Sequence, residues 1–166
     1  MDKDSAQILK AALGEELDSC HADNRKQQPS LPVDHWPSAV LLERAKYLRE
    51  LARNGDGVAG ETLREYPQHY AALTFRSRSG EAEVHDNFAD MFLILAGTTI
   101  LVTGGKVVGA RQIGPGETRG DSIEGGTRLQ LRTGDIAHVP AGTPHQMLIE
   151  GTNTVTYFVM KNQESE

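Results

Sequence analysis

Two kinds of apolar periodicity divide this chain, and one gives way to the other near Gly60. Before that point apolar residues recur every three or four positions. Ile8, Leu9, Ala12, Leu13 and Leu17 form one such stripe, and Leu41, Ala45, Leu48 and Ala52 form a second. The spacing predicts one amphipathic helix over residues 4–18 and another that opens at Pro37-Ser38. Asn54-Gly55-Asp56-Gly57 closes the second helix with residues that tolerate a left-handed backbone. Between the two stripes, residues 20–32 are polar and end in Pro29-Ser30-Leu31-Pro32, which predicts an irregular connector.

Beyond Gly60 glycine and threonine rise, β-branched residues cluster, and no helical stripe persists. Strands are predicted over residues 70–77, 82–85, 90–95, 98–103, 106–110, 127–132, 135–139, 146–150 and 154–161. Gly104-Gly105 suits a two-residue hairpin loop, and Gly151-Thr152-Asn153 a longer turn. Met91, Phe92, Leu93, Ile94 and Leu95 are continuously apolar, the mark of a strand buried on both faces. Residues 113–126, rich in glycine and charge, read as a long loop, solvated around Arg119, Asp121 and Glu124. Many short strands at close spacing predict a mainly β protein, a sandwich or barrel. The expected division is a helical arm over residues 1–58 and a β domain over residues 59–166.

Composition narrows the functional classes. A chain of 166 residues and 18.1 kDa suits one domain with a real core and an appended arm. Seventeen Lys and Arg stand against 23 Asp and Glu, and aromatics are 5%, which offers neither a phosphate-attracting surface nor a stacking platform. Nucleic acid is therefore not an expected partner. No apolar run approaches the ~20 residues of a membrane span, and Met1-Asp2-Lys3-Asp4 lacks the pattern of a secretory signal. A cytoplasmic protein without a membrane partner is expected. The single Cys20 excludes an internal disulfide and a cysteine-based zinc cluster.

The candidate chemistry lies in two segments. In the first, strand alternation points Glu83 and His85 the same way, and Asp90 opens the next strand able to face back. The second runs Gly134-Asp135-Ile136-Ala137-His138-Val139-Pro140-Ala141-Gly142-Thr143-Pro144-His145, in which a tight turn delivers His145 to the start of a strand. Two imidazoles and one or two carboxylates form a mixed N/O donor set that suits Fe, Mn, Ni, Co or Zn. His85, Asp90 and His145 alone would satisfy a two-histidine, one-carboxylate triad. Glu83 either completes the ligand set or stands beside the metal as a general base. His138, two residues before Pro140, is a candidate acid/base group, and Phe92, Met147 and Phe158 are candidates for an apolar pocket wall.

The second segment resembles a cupin motif, G-x-x-x-x-x-P-x-G-x-x-H-x-x-x-N, at Gly134, Pro140, Gly142 and His145, with Ile149 in place of the final Asn. The first cupin motif is matched more loosely. Glu83 stands at its first His, His85 at its second, Asp90 at its Glu and Gly97 at its closing Gly, while the nearest candidate for its leading Gly, Gly80, falls three places off. The resemblance covers roughly residues 70–161. It implies a cupin-type jelly-roll β-barrel with a central metal, here following an N-terminal α-helical extension, and often a homodimer. It implies no single reaction. The expectation is a metal-binding cupin acting on a small polar organic substrate, of dioxygenase or isomerase type. The altered residues at 83, 90 and 149 keep open a non-catalytic cupin that binds a small ligand as a sensor or storage module.

Overall fold

The computed structural model describes residues 33–164. The stripe at residues 4–18, the connector at 20–32 and Cys20 lie outside the described residues. The second predicted helix is present as α1 (Ser38–Asn54). The carbonyl of Pro37 accepts the amides of Val40 and Leu41 at 2.9 and 3.1 Å, and Gly57, at φ 86°, donates to the carbonyl of Ala52 at 3.0 Å beyond the helix end. Leu41, Ala45, Leu48 and Ala52 are all buried. They pack on Leu73 and Phe75, and Trp36, Leu63, Leu95 and Phe158 close the edges of this layer. The helical stripe thus covers a sheet of its own chain. No helix among the described residues is long and apolar enough to cross a membrane.

Twelve strands follow: β1 (Val58–Tyr66), β2 (His69–Arg76), β3 (Ala82–His85), β4 (Phe88–Thr103), β5 (Lys106–Val108) and β6 (Arg111–Gly114), then β7 (Glu117–Gly120), β8 (Ser122–Glu124), β9 (Thr127–Arg132), β10 (Ile136–Val139), β11 (His145–Leu148) and β12 (Val155–Gln163). Ten form one curled sheet in the order β1-β2-β12-β4-β11-β3-β7-β6, with β9 and β10 also paired to β4, while β5 and β8 pair separately. A main core of Phe92, Ile94, Leu101, Leu131, Val139, Met147, Val155, Tyr157 and Val159 fills the curl.

β4 organises the whole. Its first half pairs with β12 and β10, and its second half with β11 and β9. The sequence suggested two strands here, separated at Ala96-Gly97; the structure has one strand of 16 residues. Gly97 lies on it at φ 85°, where a Cβ would strike the carbonyl oxygen of Thr154, and the register with β12 shifts beside it, between Thr156 and Tyr157. A positive-φ glycine and a bulge let one strand serve both parts of the sheet. The apolar run on β4 is not buried on both faces: Phe92 and Ile94 face the core, while Met91 is exposed.

Three further expectations are corrected. Gly104-Gly105 is a corner rather than a hairpin, because β4 pairs with β9 and β11 whereas β5 pairs with β8. The turn at residues 151–153 likewise joins strands that do not pair with each other. Residues 113–126 are not a loop, since they contribute to β6, β7 and β8. Their polar composition hid strands whose side chains meet charge rather than an apolar core. β1 was missed for a related reason: it is half-exposed, and Glu61 on it pairs with Arg44 of α1 at 2.5 and 2.6 Å.

Candidate metal centre

Five strands and a turn bring the charged residues together. β3 carries Glu83 and His85. His145, first residue of β11, sits in register with Glu83 on one side and Thr103 of β4 on the other. The turn before it is tied to β3, because the amide of Gly142, at φ 71°, donates to the carbonyl of His85 at 2.8 Å. Asp90 near the start of β4 is in register with Lys161 of β12. Glu117 and Arg119 arrive on β7, opposite His85 and Glu83.

Each imidazole is oriented through Nδ1. For His85 the partner is Glu117 Oε2 at 2.7 Å, and for His145 it is the carbonyl of Thr143 at 3.1 Å. Both partners are acceptors, so the neutral ring that satisfies them carries its proton on Nδ1 and keeps the Nε2 lone pair facing inward. Glu83 Oε2 stands 3.2 Å from His85 Nε2 and 3.9 Å from His145 Nε2. Asp90 Oδ2 stands 3.6 and 3.3 Å from the same two atoms. Lone pairs converging this closely repel unless a cation or a proton lies among them.

Lys161 supplies one such cation. Its Nζ donates to both oxygens of Asp90 at 2.7 Å and lies 2.6 Å from His85 Nε2. Asp90 is thereby committed to the lysine. Glu83, His85 and His145 each offer one ligand atom, all within 4.8 Å of one another, and this group could hold a metal ion. A carboxylate with two inward-facing Nε2 atoms fits a divalent cation, and the second partner of each ring is the kind that steadies a metal-bound histidine.

The local charges keep the carboxylates ionised. Burial opposes charge on Glu83, but the His85 ring, which donates to it when protonated, and the charges of Arg119, His145 and Lys161 outweigh burial and hold its carboxyl at about 2. Asp90 is also lowered, because His145 and Lys161 outweigh its burial. For His85 burial favours the neutral ring and Lys161 reinforces it, yet Glu83, Asp90 and Glu117 prevail and its pKa is raised. Tyr70, facing the same cavity, is pushed up to about 12, first by burial and then by the charges of Asp90, Glu117 and Glu83. It remains a hydrogen-bond donor at any ordinary pH.

The cavity above these groups measures about 200 Å³. Phe92, Met147, Val159 and Ala72 give it apolar walls, and Thr74, Arg76, Gln146 and Tyr157 add polar ones. Phe158, expected on this wall, faces the helix side instead and packs on Trp36. His138 is also withdrawn from the site. Along β10, Ala137 and Val139 turn inward, and alternation leaves His138 exposed on the outer surface.

Sequence reasoning missed Lys161, Glu117, Arg119 and Tyr70. Lys161 and Tyr70 end predicted strands, where alternation alone does not separate an inward charge from a solvated one. Glu117 and Arg119 lay in the segment read as a solvated loop, yet the Arg119 side chain is 19% exposed, 3.2 Å from Glu117 and 3.7 Å from Glu83. A Glu-x-Arg pair flanked by glycines was the available signal.

No family model and no curated protein matches the chain. Solved structures do. An uncharacterized conserved protein with a double-stranded β-helix domain from Klebsiella pneumoniae is similar at TM-score 0.54 and 14% identity, over 80% of this chain and 91% of that one. TT1209 from Thermus thermophilus is similar at TM-score 0.50 and 17% identity, over 71% and 95%. The cupin domain of Cnp3 from Schizosaccharomyces pombe gives TM-score 0.48 and 14% identity over 64% of this chain, which spans 61% of that one. The shared fold is the double-stranded β-helix.

Proposed function

We propose that this protein is a metal-dependent cupin enzyme that acts on a small polar organic substrate, by oxygenation or by an isomerisation of enolising type. The observation that carries this reading is the convergence of Glu83, His85 and His145 with both Nε2 atoms turned inward. Glu83, His85 and His145 are the proposed ligands, and Asp90 is a fourth that Lys161 holds in reserve. A bound divalent ion supplies Lewis acidity toward a substrate oxygen and, for iron or manganese, redox capacity. The depressed pKa of Glu83 supports its role as a ligand, since a carboxylate held at about 2 is a poor proton acceptor at neutral pH. Tyr70 donates a hydrogen bond to substrate, while Phe92, Met147 and Val159 limit water around it. A homodimer is part of the proposal, supported by the exposed Met91 and Ile136 on β4 and its outer neighbour β10.

The test is metal analysis of protein purified without added metal, repeated on the double variant His85→Ala, His145→Ala. Stoichiometric metal in the parent and none in the variant is expected; equal metal in both would remove the site. Light scattering tests the dimer, and a mass of 18.1 kDa at tens of micromolar would exclude it.

Lys161 favours a second reading, a non-catalytic cupin that binds a small ligand. Its ammonium already neutralises Asp90 and contacts His85, so the cluster is satisfied in part without metal. Failure of the parent protein to retain metal under metal-replete conditions would select it.

A further inference from the structure

The cavity has a second charged pole that the metal reading does not use. On β2 the residues Tyr70, Ala72, Thr74 and Arg76 all line it, and Arg76 ends this row, six residues beyond Tyr70. The Arg76 guanidinium donates through Nε to the hydroxyl of Tyr157 at 3.0 Å. No carboxylate pairs with it among the described residues. The other acids and cations nearby are already engaged: Arg119 with Glu83 and Glu117, Lys161 with Asp90, and Glu81 at the cavity edge with Arg111. Gly80 makes room for Arg76, since a Cβ there would come within 2.9 Å of its Nη1 atom. The half-buried guanidinium therefore keeps its Nη1 and Nη2 donors available at the cavity wall. A planar fork of this kind recognises oxyanions.

We propose that Arg76 is the specificity-determining anchor for a carboxylate group of the ligand. Its hydrogen-bond partner at the cavity, Tyr157, is neutral, and the carboxylates whose charge reaches it, Glu83 and Asp56, are held by Arg119 and Arg78, so one guanidinium matches one negative charge rather than a phosphate dianion. A cavity of about 200 Å³ lies below the ~300 Å³ lower end of common ligand sites, which limits the ligand to a small organic acid. Its remaining polar end reaches toward Glu83, His85 and His145. That orientation rests on the metal reading above, whereas the anchoring by Arg76 does not.

Calorimetric titration of metal-free protein with acetate, malonate and succinate, and separately with inorganic phosphate, tests the assignment. The expected result is saturable binding of at least one carboxylate, weakened tenfold or more in Arg76→Gln and partly restored in Arg76→Lys. Circular dichroism verifies that each variant is folded. Absence of saturable carboxylate binding to the parent, or equal binding by Arg76→Gln, overturns the proposal. Phosphate binding more tightly than every carboxylate overturns the choice of carboxylate. Because the titrations use metal-free protein, a parent that retains no metal yet binds a carboxylate through Arg76 would sink the metal reading alone.

Discussion

Lys161 and Asp90 face each other in register on β12 and β4, with Nζ 2.7 Å from both carboxylate oxygens. The Asp90 side chain is 1% exposed and that of Lys161 15%, so this pair is shielded from water. Removing one partner of a buried pair leaves the other charge uncompensated, at a cost of about 3–5 kcal/mol. Lys161→Met is therefore expected to lower the stability of metal-free protein by that amount in urea titrations. The same change frees Asp90 and removes a positive charge from the donor group, which is expected to tighten divalent-metal binding about tenfold or more. Unchanged or weaker metal binding in the variant would show that the lysine does not compete with a metal.

Glu117 acts through His85. It holds Nδ1 at 2.7 Å and so directs Nε2 inward. Loss of such a partner weakens metal binding by ~10–100-fold. Glu117→Ala is expected to fall in that range by competition with a chelator, and Glu117→Gln, which keeps an acceptor, is expected to recover part of it. Full affinity in Glu117→Ala would disconnect β7 from the centre.

The carboxylates and the histidine impose opposite pH dependences. Glu83 is held at about 2 and Asp90 is lowered as well. Their contribution to stability is complete above the ordinary carboxylate range near 4 and disappears as pH falls toward 2. The pKa of His85 is raised, so its contribution is complete below about 6.5 and disappears as pH rises through its folded-state value. Metal-free protein is expected to lose urea resistance steeply between about pH 4.5 and 2. A flat urea midpoint across that interval would contradict the charge assignment.

Leu48 tests the outer layer. It is 1% exposed and packed among Leu41, Ala45, Leu73 and Phe75. Leu48→Ala is expected to cost about 2–5 kcal/mol in chemical denaturation while leaving metal content unchanged. Loss of metal in a folded Leu48→Ala would mean that the helix shapes the centre directly.

Much of this arrangement was legible wherever apolar periodicity or turn chemistry carried it. The stripe at Leu41, Ala45, Leu48 and Ala52 is the buried face of α1, and Gly142 with Pro140 does set the turn that delivers His145. The alternation that joins Glu83 to His85 also held, since both reach the same cluster. Illegible parts were those decided by tertiary contacts. Arg119 and Glu117 carry no apolar signature, so only their partners distinguish them from solvated charges. Lys161 looked like the polar end of a strand until β4 placed Asp90 beside it. His138 shows the converse: its place two residues before Pro140 does not decide which face of β10 it occupies, and that face is the exposed one.

β2 divides its work by parity. Its odd positions, Leu73 and Phe75, lie beneath α1, while its even positions, Tyr70, Ala72, Thr74 and Arg76, line the cavity. Successive residues of this one strand thus serve different ends, adhesion to the helix on one side and the lining of a cavity on the other. Substitutions at the even-numbered residues therefore reshape this wall of the cavity while the surface that carries the helix stays as a fixed chassis.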